Sequence, residues 1–370
     1  MDKLDSIDPK FESKVFIDRP LLSSITLLEP ENEERKDSNV LPITDVPLEL
    51  VKEILMKLHP LELFQYSCYG VSKGIRGIVK KNLMDPETLG IYFSDKVCVV
   101  FSTGKYCKYT KEAGQCGYGY GTYEKNEYGN YMENELPFES KERIGFRKNV
   151  KYDQAGLKVF LSILTNPGNY LDNLTIHVKY GYNANKNITR IEKALRSVNE
   201  KILVTFVHLE HVTPKQVMQI LPYLKPKTLQ RIGIDGNACG EEDNETMRKI
   251  AGTEQFKQAK GFKAFIPSTI PIKKYLHLKH FLIMRNRMTA RELADFKKTM
   301  FKHVHIREVE VVIMNKAFDI GIARRVLGPC RPHPTDPESG FYHGPNGVLQ
   351  ISMGNEDDGS TSLLMTRMRE

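Results

Sequence analysis

A chain of 370 residues, 40% hydrophobic and 27% charged, is long enough for one large core with a smaller domain beside it. No run approaches the roughly 18 apolar residues needed to cross a bilayer. Met1-Asp2-Lys3-Leu4 lacks a signal-peptide pattern, and six cysteines without dense spacing suit a reducing compartment, so a cytoplasmic or nuclear protein is expected. The net charge is +8, but Lys and Arg are spread along the chain, and clusters such as Lys80-Lys81, Lys225-Pro226-Lys227 and Lys273-Lys274 hold only two lysines each. Solvated faces account for them, and neither nucleic acid nor membrane is an expected partner.

Residues 1–41 are polar and end in the charged run Glu31 to Asp37, which reads as a disordered leader. Residues 42–84 then carry short amphipathic helix patterns. Pro47 suits the first turn of a helix, where its missing N–H costs nothing. Val51, Ile54, Leu55 and Leu58 follow at i, i+3, i+4 and i+7, one apolar stripe. His59-Pro60 ends that helix; Leu61, Phe64 and Tyr66 begin another; Gly70 interrupts it before Val71, Ile75, Ile78 and Val79. So small a bundle cannot bury all of this on itself, and the surplus apolar surface marks a partner site.

This segment resembles an F-box, the docking module of ubiquitin-ligase substrate receptors. Val46-Pro47, Ile54-Leu55, Leu58, Val71-Ser72 and Ile75-Arg76 stand where that pattern has its Leu-Pro, Ile-Leu, Leu, Val-Ser and basic-aromatic features. Val46 replaces the usual Leu, no Trp follows Val71, and the stretch from Leu58 to Val71 is slightly long. The resemblance implies that Ile54, Leu55 and Leu58 anchor a Skp-family adaptor, with Pro47, Leu61, Val71 and Ile75 in support.

Residues 85–150 form a β-rich connecting region, with strand-like runs at Lys96 to Ser102 and Lys105 to Thr110 and a flexible hairpin loop at Gly117 to Gly121. From residue 151 helix and strand patterns alternate. Asp153 is placed to cap a helix through Leu157, Phe160, Leu161 and Leu164. Strand-like runs follow at Leu174 to Val178, Leu203 to Leu209 and Leu229 to Ile234, with Phe262 opening a fourth. Thr213-Pro214-Lys215-Gln216 and Thr289 to Glu292 have the form of capping boxes. Strand starts recur at intervals of about 26 to 33 residues, which predicts stacked strand–helix units. The expected fold is α+β to α/β: a small helical module followed by an irregular, leucine-rich-repeat-like solenoid.

Residues 151–370 resemble the FTH domain of nematode F-box proteins. Glu254-Gln255-Phe256-Lys257-Gln258-Ala259-Lys260 follows that family's Glu-Gln-Trp-Lys-x-Ala-Lys motif, with Phe256 in place of Trp. Leu224 to Leu229 and His280 to Thr289 are also similar, and Gly347 to Met353 and Ser362 to Met368 suggest closing strands.

Motifs for catalysis are weak. Gly104-Lys105 is followed by Tyr106 and lacks the upstream Gly of a phosphate-binding loop, and Gly117 to Gly121 is not a dinucleotide fingerprint. Cys98, Cys107 and Cys116 are too far apart for the usual zinc spacing. His208/His211 and His277/His280 lie three apart in strand-like runs, on opposite faces, and read as core or edge histidines. Cys68 sits in an apolar helix as filler. No catalytic residue, metal or cofactor is expected.

Taken together, the two resemblances imply a substrate-recognition adaptor of a Skp–cullin–F-box ubiquitin ligase, with its F-box on a Skp-family protein and its second domain on a protein target whose contacts the sequence does not assign. The alternatives are a scaffold or RNA-associated translational regulator without a degradation role, and a structural protein whose degenerate F-box no longer docks.

Overall fold

The computed structural model describes residues 50, 87–102, 105–112, 115–122, 142–147, 151–165, 169–179, 184–236, 241–314, 318–357 and 359–368. The leader and the F-box segment lie outside them, apart from Leu50, which is helical and exposed. The chain divides into two compact units, one of residues 1–84 and 104–152, the other of 85–103 and 153–370.

In chain order the strands begin with β1 (Thr88–Phe93) and β2 (Val97–Ser102). Then come β3 (Lys105–Glu112), β4 (Gln115–Thr122) and β5 (Glu142–Arg147), an antiparallel set belonging to the first unit. Gly117 to Gly121, expected as a loop, forms most of β4: Gly and Tyr alternate with the period of a strand, and each pairs with β3.

The second unit is a mixed α/β structure around a large sheet. Helix α1 (Tyr152–Leu164) leads to β6 (Tyr170–Val178), α2 (Ala184–Arg196) to β7 (Leu203–Glu210), and α3 (Pro214–Ile220) with a 3-10 turn at Leu221–Tyr223 to β8 (Arg231–Asp235). Helices α4 (Glu241–Gly252) and α5 (Glu254–Gln258) precede β9 (Gly261–Pro267), and a 3-10 turn at Ile272–Lys274 precedes β10 (His280–Arg285). Helix α6 (Ala290–Lys302) precedes β11 (Glu308–Ile313). After α7 (Ile320–Leu327) the chain closes with β12 (Arg331–Pro332), β13 (Ser339–Gly344), β14 (Gly347–Asn355) and β15 (Thr361–Arg367). Strands β1, β6, β7, β8, β9, β10 and β11 pair in that order, all parallel. Antiparallel β2 flanks β1, and antiparallel β15, β14, β13 and β12 extend the sheet beyond β11.

Alternation decides which side is covered. Leu174, Ile176 and Val178 on β6, Ile232 and Ile234 on β8, and Val309, Val311 and Ile313 on β11 are buried, as are the helix stripes Ile188, Ile191 and Leu195, Val217 and Ile220, and Leu293, Phe296 and Met300. Burying each such residue contributes about 1.5 to 3 kcal/mol. Both expected capping boxes form: the Gln216 N–H donates to Thr213 Oγ1 at 3.3 Å while Gln216 Oε1 accepts from the Thr213 N–H at 2.8 Å, and Thr289 and Glu292 do the same at 3.2 and 2.8 Å. Asp153 does not cap α1. It lies within the first turn, accepts the Gln154 N–H, and ion-pairs Arg190 at 3.3 Å.

Helix α4 carries Met247 and Ile250 and ends at Gly252, and Thr253 caps the separate short helix α5 by accepting the Phe256 N–H at 3.2 Å. The family-like motif is therefore a staple. Gln255 is buried and donates to the carbonyls of Leu224 (2.8 Å) and Pro222 (3.3 Å), satisfying the preceding turn. Phe256, 1% exposed, meets Phe262, Tyr275 and His277 edge to face at centroid distances of 5.0, 5.7 and 5.2 Å. Lys257 and Lys260 face solvent. Phe256→Ala should lower unfolding free energy by about 3 to 5 kcal/mol, the usual loss on emptying a buried aromatic position, while Phe256→Trp is expected to be tolerated. Denaturant unfolding checks both, and an unchanged Phe256→Ala midpoint would contradict the packing.

Candidate functional site

The sequence-based adaptor residues Pro47, Ile54, Leu55, Leu58, Leu61, Val71 and Ile75 all lie outside the described residues, as does Cys68. What the structure does display is the uncovered side of the parallel ladder. Alternate residues there are Phe206, His208 and Glu210 on β7, Arg231 and Asp235 on β8, Lys263 and Phe265 on β9, His280 on β10, and Glu308 and Glu310 on β11, all exposed or half-exposed. Among the described residues the helix stripes named above bury the opposite set, and the parallel register sets which of these side chains meet.

Two arrangements stand out by geometry. The rings of Phe206 and His208 stack at 15° with centroids 5.9 Å apart, and the Arg231 guanidinium lies 4.9 Å from the Phe206 centroid. Gly233 makes room for them, since a Cβ there would come within 2.8 Å of His208 Cδ2 and 3.3 Å of Phe206 Cε2. Beside this stack, Lys263 lies 5.5 Å from the ring centroid of Phe265, which is 38% exposed.

At the C-terminal ends of β6 and β7, Glu210 lies between two imidazoles, 2.5 Å from His177 Nδ1 and 2.9 Å from His208 Nδ1. His177 sits against the Tyr92 ring (4.6 Å) and the edge of His211 (4.8 Å). His211 has a φ of 54°, the left-handed conformation in which the chain turns away from β7. Burial pushes the Glu210 carboxyl up, but hydrogen bonds and positive charge from His177 and His208 outweigh it and bring its pKa down to about 2. The cluster joins adjacent strands by charge-assisted hydrogen bonds. Farther along the same face, burial pushes the Glu310 carboxyl up against the pull of Lys263.

The other sequence candidates separate. His208 is in β7 while His211 lies beyond its end; His277 precedes β10 and its Nε2 lies 2.9 Å from the Phe256 carbonyl, while exposed His280 is 4.0 Å from Glu308. Cys98, Cys107 and Cys116 are buried on three different strands. Among the described residues no group of three or more His, Cys, Asp and Glu side chains could hold a metal ion.

Because the folded pKa of Glu210 lies below the ordinary carboxylate value of 4.5, its ionisation stabilises the native state above about pH 4.5, and that stabilisation fades as pH falls towards 2. Glu210→Gln should therefore destabilise the protein at pH 6 to 7 by up to roughly 3 kcal/mol, with the gap to wild type closing as pH falls from 4.5 to 2. Thermal unfolding across that range is the check; a pH-independent gap would contradict the paired carboxylate.

Comparison with known proteins finds the FTH domain at residues 185–329, from the second residue of α2 to just beyond α7. No curated protein and no solved structure matches the chain.

Proposed function

We propose that this chain is a non-catalytic substrate-recognition adaptor of a Skp–cullin–F-box ubiquitin ligase. The observation that carries the reading is the FTH domain at residues 185–329, an F-box-associated family, downstream of a segment with F-box character at Val46 to Arg76. The F-box docks on a Skp-family protein and through it on a cullin. The second unit holds the target on the uncovered face of its sheet, with the strand–helix units stacked as an irregular leucine-rich-repeat-like solenoid. Its contribution is proximity: a target lysine held near a charged ubiquitin-conjugating enzyme reacts at a raised effective concentration without chemistry by this chain. A cytoplasmic or nuclear location belongs to the same reading, and among the described residues no helix is long and apolar enough to cross a membrane.

Ile54→Asp combined with Leu58→Asp should abolish co-purification with a Skp-family protein, because an unpaired carboxylate in a dry contact costs several kcal/mol, about the whole of a moderate affinity. Undiminished co-purification by a double variant that unfolds at the wild-type temperature would overturn the proposal.

A further inference from the structure

The sequence scatters its lysines and arginines, but the parallel register gathers several of them into one row. At the N-terminal ends of the strands, the Lys260 N–H donates to the Gln230 carbonyl at 2.7 Å, the Lys279 N–H to the Lys260 carbonyl at 2.7 Å, and the Arg307 N–H to the Lys279 carbonyl at 2.8 Å. The Arg367 N–H continues the row to the Arg307 carbonyl at 2.8 Å. Lys260, Lys279 and Arg307 thus stand side by side just before β9, β10 and β11, with Arg367 at the end of β15, at a strand spacing of roughly 4.8 Å. Like charges set directly opposite one another repel and destabilise a sheet, so such a row calls for a counter-charge.

The protein provides little of it. Arg367 is occupied by the carbonyls of Met300, Ile306 and Asn346. Lys260 reaches only the neutral Gln230 side chain at 3.2 Å. Lys279 and Arg307 are exposed, and among the described residues neither has an ion-pair partner. Of the carboxylates at this end, Glu254 is held by Lys257 at 2.8 Å and Glu308 lies 4.0 Å from His280.

We infer that Lys260, Lys279 and Arg307 form the docking site for an extended acidic segment of a partner polypeptide. The inference rests on reading the chain as a target receptor, and it names the class of target. The row from Gln230 to Arg307 spans three strand spacings, roughly 14 Å, which an extended peptide of about four to five residues matches. Single-stranded nucleic acid would need open ring faces on which bases stack. Phe206 already carries His208 and Arg231, Phe265 already carries Lys263, and the exposed His280 imidazole beside the row lies 4.0 Å from the Glu308 carboxylate. Charge complementarity without a stacking platform favours the polypeptide.

The test uses the full chain and fluorescence anisotropy at low salt, with a labelled twelve-residue peptide of alternating Glu and Ser as one probe and a labelled oligouridine of equal charge as the other. The peptide is expected to bind saturably and to weaken as salt is raised. The triple change Lys260→Glu, Lys279→Glu and Arg307→Glu should weaken it at least tenfold, while Arg287→Glu with Arg291→Glu, the smaller charge reversal beyond the C-terminal end of β10, should change it less than twofold. If the triple variant does not fold, the neutral set Lys260→Gln, Lys279→Gln and Arg307→Gln carries the same expectation at about fivefold. Absence of saturable peptide binding, equal weakening by the two charge reversals, or tighter binding of oligouridine would each overturn the inference. Co-purification with a Skp-family protein is scored on the same samples. Peptide binding without the adaptor would remove the ligase reading and leave the docking site, whereas adaptor binding without the peptide would remove the docking site alone.

Discussion

A parallel strand cannot pair with the next until the chain has travelled back along the sheet, and this return is the constraint on which the second unit depends. Between β6 and β9, and again between β10 and β11, the return is made by helices, whose apolar stripes cover one side of the ladder. Thr213, Thr253 and Thr289 start three of those helices by accepting an N–H that would otherwise be left without an intrahelical partner. Since the helix stripes cover one side, the other side of β7, β8, β9 and β11 shows polar alternate residues, while Thr175 and His177 on β6 and Leu282 on β10 are buried there. Purely parallel sheets are usually covered on both faces and built from continuous apolar runs; here the uncovered positions are Arg231, Lys263, His280, Glu308 and Glu310.

The same constraint explains what a one-dimensional reading captures. The two capping boxes and the run that became β7 carry their signal within a few residues, and each formed where its pattern placed it. Strand β1 gave no such signal. Gly90 interrupts its pattern, but in the structure that glycine lies under the ring of Phe101 on β2, where a Cβ would come within 2.0 Å of Cζ. Only the neighbouring strand makes sense of it. The split between α4 and α5 was hidden for a similar reason, because Met247, Ile250 and Phe256 all reach one core from two helices.

Register was the larger loss, and it controls the sites. Strand β6 begins at Tyr170, four residues before the apolar run at Leu174, because Asp172 and Asn173 are tied into the sheet through their N–H groups to the Glu87 carbonyl. That offset sets His177 opposite Glu210 instead of opposite Phe206. Three-residue spacing along one strand places histidines on opposite faces, whereas the contact that forms, His177 with Glu210, is between strands. The cationic row has the same origin: Lys260, Lys279 and Arg307 sit in three separate loops, and nothing local marks them as neighbours. Burial was legible from residue type and position at Phe256; side-chain company across the ladder was not.

One parallel ladder with helices on one side fixes both the buried core and the company that exposed side chains keep. Amide hydrogen exchange on the full chain tests this most directly, since strands that share one core open together and at the highest free energy. The amides of β6 to β11 are expected to form one slowest-exchanging group, and Phe256→Ala to accelerate all of them together. Exchange of β6 to β8 and of β9 to β11 as two independent groups, with Phe256→Ala affecting only the second, would contradict it.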